Sequence, residues 1–218
     1  MSITVRHLGI SDFESTCLAM QRFTLNRTEN TPDELWLTQH HAVYSLGLNR
    51  KNIRLPNTTD NTPRLTKSIP VVPTDRGGKI TYHALGQVVI YVLLDLKRNN
   101  LNIRTLVSLL ENTVVELLSN YQIVAFAKSD APGVYVEDAA GQIAKIASLG
   151  LRIKNNCCYH GLSLNVDMDL SPFLAIDPCG YAGLKVTQTK DLGVAANAKE
   201  LGRQLLAKLV EKLGNSQA

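Results

Sequence analysis

The chain has 218 residues, is 44% hydrophobic and 19% charged, and carries 23 Lys plus Arg against 19 Asp plus Glu. The apolar share is enough for one core and excludes wholesale disorder, ordinary Gly and Pro usage excludes a collagen-like chain, and four cysteines are too few for a disulfide-stapled scaffold. A net charge of +4, with the basic residues scattered, argues against dedicated nucleic-acid binding and leaves a mild positive field that favours acidic partners or anionic substrates.

The N-terminus lacks a basic segment followed by an apolar stretch, and no window reaches 18 apolar residues, so a soluble, unprocessed cytoplasmic chain without a membrane span is expected. Cys17, Cys157, Cys158 and Cys179 form no CxxC pair. The five histidines form no HxxH, HxxxH or HExxH pair, so neither structural zinc nor another metal site is expected.

In chain order, Ile3 to His7 alternates as a strand, and Ser11 is placed to cap a helix through Asn26 with Phe13, Cys17, Met20 and Phe23 on one face. Asp33 to Gln39 reads as extended, and Asn49 to Pro70 as a long surface loop. Ile69 to Val72 is a short strand, Val88 to Leu96 a buried one, and Asn102 to Leu118 a helix with Ile103, Leu106, Leu110, Val114 and Leu117 on its stripe. Strands follow at Ile123–Ala127, Gly133–Glu137, Ile143–Ile153 and Tyr159–Asp167, then a helix over Ala195–Leu213 with leucines at 201, 205, 209 and 213. Helices that do not alternate one for one with strands predict a single α+β domain over 1–218, with a mixed β-sheet core and flanking helices.

Three segments are candidates for chemistry. Arg76-Gly77-Gly78-Lys79-Ile80-Thr81-Tyr82-His83 is either a glycine turn joining two strands or a loop that brings backbone close to a ligand, with Arg76 and His83 beside it. Cys179, in the Pro- and Gly-rich run Asp177-Pro178-Cys179-Gly180, is either a packed thiol or an accessible nucleophile needing a cationic neighbour. Lys145 interrupts the strand Ile143-Ala144-Lys145-Ile146-Ala147. Strict alternation puts it on the face of Ile143 and Ala147, by default solvated, otherwise desolvated and able to act as a base. P-loop, GxGxxG and GxSxG patterns are absent.

Six blocks in order carry a resemblance. They are Asp75-Arg76-Gly77-Gly78 with Thr81-Tyr82-His83; Tyr91 to Leu94; Asp130 to Val136; Lys145-Ile146 with Ser148 to Ile153; His160-Gly161-Leu162 with Leu164-Asn165-Val166; and Met168 to Phe173 with Pro178 to Gly183. Together they resemble the octanoyltransferase family of lipoate biosynthesis. The resemblance implies the fold of biotin and lipoate protein ligase catalytic domains. It also implies transfer of an octanoyl or lipoyl group from acyl carrier protein to a lysine of lipoyl domains, those of 2-oxoacid dehydrogenase and glycine cleavage proteins, through a cysteine-bound acyl thioester and without cofactor. By position it makes Cys179 the nucleophile and Lys145 its activating base. The substrate-contacting residues become Arg76, Gly77, Gly78, Lys79, Ile80, Thr81, Tyr82 and His83, then Ser148, Leu149 and Gly150, then Gly161, Leu162 and Ser163.

Ala84-Leu85-Gly86-Gln87 stands where the family usually has Gly-Pro-Gly-Gln, and the His-x-Leu-Gly run is similar to lipoate ligases. The alternative is therefore an ATP-dependent lipoate or octanoate ligase. A third reading, of a different class, is a non-catalytic module that binds lipoyl domains or acyl carriers.

Overall fold

The computed structural model describes residues 3–51, 53–56, 69–137, 141–177 and 184–215. The centre of the molecule is β6 (Gln87–Asp95), whose first eight residues are all buried. Its near-continuous apolar run is explained by having two covered faces. Val88, Ile90, Val92 and Leu94 pack under two helices, α2 (Ile103–Ser119) and α3 (Ala198–Asn215). Val89, Tyr91 and Leu93 pack against α1 (Phe13–Leu25) on the other side.

β6 lies in an eight-stranded mixed sheet of order β1-β2-β6-β10-β9-β8-β7, in which β11 also pairs with β9. The strands are β1 (Thr4–Ile10), β2 (Glu34–Gln39), β7 (Ala125–Ala127), β8 (Val134–Glu137), β9 (Ile143–Lys154), β10 (Cys157–Asn165) and β11 (Lys185–Val186). Beside α1 lies a small sheet in which β3 (Val43–Leu46) pairs in parallel with β4 (Val71–Pro73) and antiparallel with β5 (Ile80–His83). The architecture is the expected mixed sheet with flanking helices. Among the described residues no helix is long and apolar enough to cross a membrane.

The sequence pattern differs from the structure mainly at element ends. Asp12, not Ser11, caps α1 by accepting the Ser15 N–H at 2.8 Å, because Ser11 Oγ is engaged with Thr38 Oγ1 at 2.7 Å. α3 begins three residues after the expected Ala195, since Asn197 and Glu200 form a reciprocal capping box over its first turn. Its leucines at 201, 205, 209 and 213 are fully buried, as their spacing predicts. On α2 the stripe holds for Leu106, Leu110, Val114 and Leu117, but Ile103, in the first turn, is 43% exposed. β10 ends at Asn165 rather than Asp167, because the next two N–H groups turn onto the Gly86 carbonyl. Most of the expected 49–70 loop, residues 52 and 57–68, lies outside the described residues.

Candidate active site

Twelve of the expected substrate-contacting residues surround one cleft: Arg76, Gly78 to Thr81 and His83 from the turn and β5, Ser148 to Gly150 from β9, and Gly161 to Ser163 from β10. The strand register brings the last two groups together, since Gly161 pairs with Gly150, Leu162 with Leu149 and Ser163 with Ser148. Gly77 and Tyr82 are placed elsewhere. The Gly77 N–H ties the turn to β9 by donating to the Leu151 carbonyl at 2.9 Å, while Tyr82 is buried among Tyr44 and Phe173. Four further lining residues, Phe13, Val89, Tyr91 and His160, were not among the expected contacts. Phe13 reads as helix core in the sequence; Tyr91 and His160 stand inside two of the resembling blocks and carry that signal.

The Gly-Gly segment is both a turn and a wall of the cleft. It joins β4 to β5, and Arg76 holds it there by donating from Nε and Nη2 to Ser45 Oγ at 3.1 and 2.8 Å and from Nη1 to the Gly77 carbonyl at 2.9 Å. The guanidinium thus organises the loop through β3, an element without a sequence signal strong enough to announce it. From Ser45 a buried polar chain continues. Ser45 Oγ meets His83 Nε2 at 3.2 Å, His83 Nδ1 meets Gln87 Oε1 at 2.7 Å, and Gln87 Nε2 donates to Asn165 Oδ1 at 2.9 Å. Asn165 Nδ2 then donates to the Thr187 carbonyl at 3.0 Å, and the Thr187 N–H to the Lys145 carbonyl at 3.0 Å. Satisfied buried networks of this kind specify one arrangement, here linking the turn to the strand that carries Lys145.

Lys145 itself is 1% exposed, not solvated. A β-bulge lies next to it. Val134 of β8 pairs with Ala147, but the next residue, Tyr135, pairs with Lys145, so one step of β8 spans two of β9. Ala147 therefore faces the helix-side core, as Ala144 and Ile146 do, while Lys145 lies on the opposite face with Tyr135; the expected alternation holds for Lys145 against Ala144 and Ile146 and fails at Ala147. Its Nζ donates to the Pro132 carbonyl at 2.9 Å and lies 5.1 Å from the Tyr135 ring centroid. β11 runs beside it, with Val186 paired to Lys145.

Cys179 falls in 178–183, outside the described residues. The flanking residues Asp177 and Leu184 border one depression together with Ala144, Val186 and Thr187. The three described cysteines are buried, and burial pushes their thiols up, to about 12 at Cys17 and Cys158. Among the described residues no group of three His, Cys, Asp or Glu side chains could hold a metal ion.

His160, another lining residue of the cleft, has φ +63°, uncommon for a non-glycine residue, and its Nε2 donates to Asp75 Oδ1 at 2.8 Å while the adjacent Tyr159 hydroxyl donates to Oδ2. Burial pushes the Asp75 carboxyl up, but these hydrogen bonds outweigh it and hold it well below the usual carboxylate range. Burial also pushes the His40, His83 and His160 imidazoles down, His83 to about 3. Each of these imidazoles is therefore harder to protonate in the folded chain than in the unfolded one, where it takes up a proton below about pH 6.5. Stability is therefore expected to fall as pH drops from 7, by about 2 kcal/mol at pH 5 for His83 alone. The Asp75 contribution is present above about pH 4 and is lost only further down. Urea midpoints measured from pH 7 to 5 should decline steadily, and His83→Gln should flatten the decline; a flat wild-type profile would refute the expectation.

Residues 15–210 match the family of the lipoyl protein ligase A/B catalytic domain. An octanoyltransferase of Dechloromonas aromatica is 51% identical over 98% of both chains, and one of Shewanella halifaxensis is 48% identical over 98% of this chain and 91% of its own. Among solved structures, a bi-partite lipoate protein ligase from Thermoplasma acidophilum, studied with its E2 lipoyl domain, covers 97% of this chain with 84% of its own, at a TM-score of 0.72 and 14% identity. Biotin protein ligase from Aquifex aeolicus matches at a TM-score of 0.53 and 14% identity, over the whole of this chain and 70% of its own. At such identities the structural likeness establishes the fold, and the close sequence relatives establish the family. The chain belongs to the lipoyl protein ligase A/B catalytic domain family and, within it, to the octanoyltransferases.

Proposed function

We propose that the chain takes an octanoyl group from the thioester of acyl carrier protein onto Cys179 and passes it to a lysine amine of a lipoyl domain, with Lys145 moving the protons. The observation that carries this reading is the buried Lys145, on the face opposite the helix-side core, on a strand that three residues later forms the cleft wall. The burial of Cys17, Cys157 and Cys158 as thiols adds to it by leaving Cys179 as the candidate nucleophile.

In the first half-reaction Lys145 accepts the Cys179 proton, the thiolate attacks the thioester carbonyl, and the proton passes to the departing carrier thiolate. In the second, the acceptor amine attacks the Cys179 acyl group, Lys145 takes the amine proton, and that proton returns to the Cys179 thiolate as it leaves. Thioester exchange is nearly isoenergetic and amide formation is downhill, so neither step needs a nucleotide. The acyl chain would run along β9 and β10 towards Val89, Tyr91 and Phe13, gaining about 0.8 kcal/mol for each CH₂ removed from water.

The test is intact-protein mass spectrometry of the chain mixed with octanoyl-acyl carrier protein in the absence of ATP. One covalent octanoyl adduct, discharged by added lipoyl domain, is expected. Labelling only from free octanoate and only with ATP would favour a ligase, and stoichiometric binding without transfer a non-catalytic module.

A further inference from the structure

Glu111 is 6% exposed in the middle of α2, next to the apolar stripe residue Leu110. A carboxylate in such a place is costly unless it is well paired. Its Oε1 accepts the Gly133 N–H at 2.7 Å. The carbonyl of that same peptide unit, Pro132 C=O, accepts Lys145 Nζ at 2.9 Å. In a trans peptide the C=O and N–H point in opposite directions. Lys145 and Glu111 therefore grip one peptide from its two ends.

We propose that Glu111 is a positioning residue for Lys145, acting through the Pro132–Gly133 peptide. A negative acceptor on the N–H draws density along the amide towards the carbonyl oxygen, and hydrogen bonds linked in this way strengthen one another. The oxygen then holds Nζ more firmly in place. Satisfying one backbone N–H requires no charge; a neutral amide would do it. Burial pushes the Glu111 carboxyl up, and the Gly133 N–H and the neighbouring Lys145 work against that rise.

The inference rests on the proposed role of Lys145, and its test separates the two. Octanoyl transfer would be measured for wild type, Glu111→Gln, Lys145→Ala and the double variant, with thermal unfolding alongside. Glu111→Gln, which keeps an acceptor for Gly133 but no charge, should lower kcat about tenfold with KM for donor and acceptor changed less than about twofold. In the Lys145→Ala background the same change should cost nothing further. An unchanged kcat, a loss seen in KM instead, or an equal loss in both backgrounds would overturn the positioning role. If Glu111→Gln does not fold, Glu111→Asp is put through the same cycle, with the same requirement that its effect vanish without Lys145. Undiminished transfer by Lys145→Ala would overturn the catalytic reading of the lysine itself, and the positioning role with it; impaired Lys145→Ala with normal Glu111→Gln would overturn only the latter.

Discussion

Cys179→Ala is expected to give no octanoyl adduct and no transfer, while Lys145→Ala still acylates but about a thousandfold more slowly, within the range that a positioned proton carrier contributes. The two variants should fail differently because, in the proposed reaction, the thiol forms the bond and the lysine moves a proton. Without Lys145 the Cys179 proton must go to solvent, so acylation should regain speed as pH rises, whereas no pH rescues the alanine at 179. Alkylation gives an independent reading. At neutral pH one thiol should react with iodoacetamide quickly, and peptide mapping should place it at 179, because burial keeps Cys17, Cys157 and Cys158 protonated and covered. An octanoyl adduct persisting in Cys179→Ala would remove the nucleophile from the mechanism, and an unchanged acylation rate in Lys145→Ala would remove the base.

Much of the frame is legible in the sequence because its signals are local. The leucines of α3 at four-residue spacing and the doubly buried run of β6 each declare their own environment. The site is legible only through blocks that resemble a family, because its chemistry depends on pairings distant in the chain. Nothing near Lys145 in the sequence reveals the bulge, which arises from the register with β8; alternation sets the lysine opposite Ala144 and Ile146, as found, but wrongly puts Ala147 on its face. In the sequence Arg76 is likewise only a charge beside two glycines, yet it is tied to Ser45 on β3, a strand of four residues that is too short to declare itself. Phe13 has no polar signal at all. It reaches the cleft because α1 begins there, packed edge-on to His40 and stacked on His83. Glu111 carries no signal of its own in the sequence, because its contact is made only where α2 lies against the Pro132–Gly133 peptide.

Gly133→Ala should be the most damaging substitution outside the reacting pair. The residue has φ +142°, a conformation open to glycine and strained for alanine, and its Cα faces the lysine. An added methyl would overlap Lys145 Cε and lie 2.8 Å from both Nζ and the Ala147 carbonyl. The Ala147 backbone, fixed in the sheet by its pairing with Val134, cannot yield. Lys145 must then leave the Pro132 carbonyl, so transfer should fall about as far as in Lys145→Ala, roughly a thousandfold. Backbone strain of about 1–3 kcal/mol should also lower the thermal midpoint by several degrees. Gly193→Ala separates these two effects. That glycine also has positive φ, +83°, but its methyl would meet nothing within 4 Å. It should lower the midpoint by a comparable amount while leaving kcat unchanged. Equal activity losses in the two variants would mean that Gly133 acts through global stability alone, and full activity in Gly133→Ala would mean that the lysine does not need the seat the Pro132–Gly133 peptide gives it.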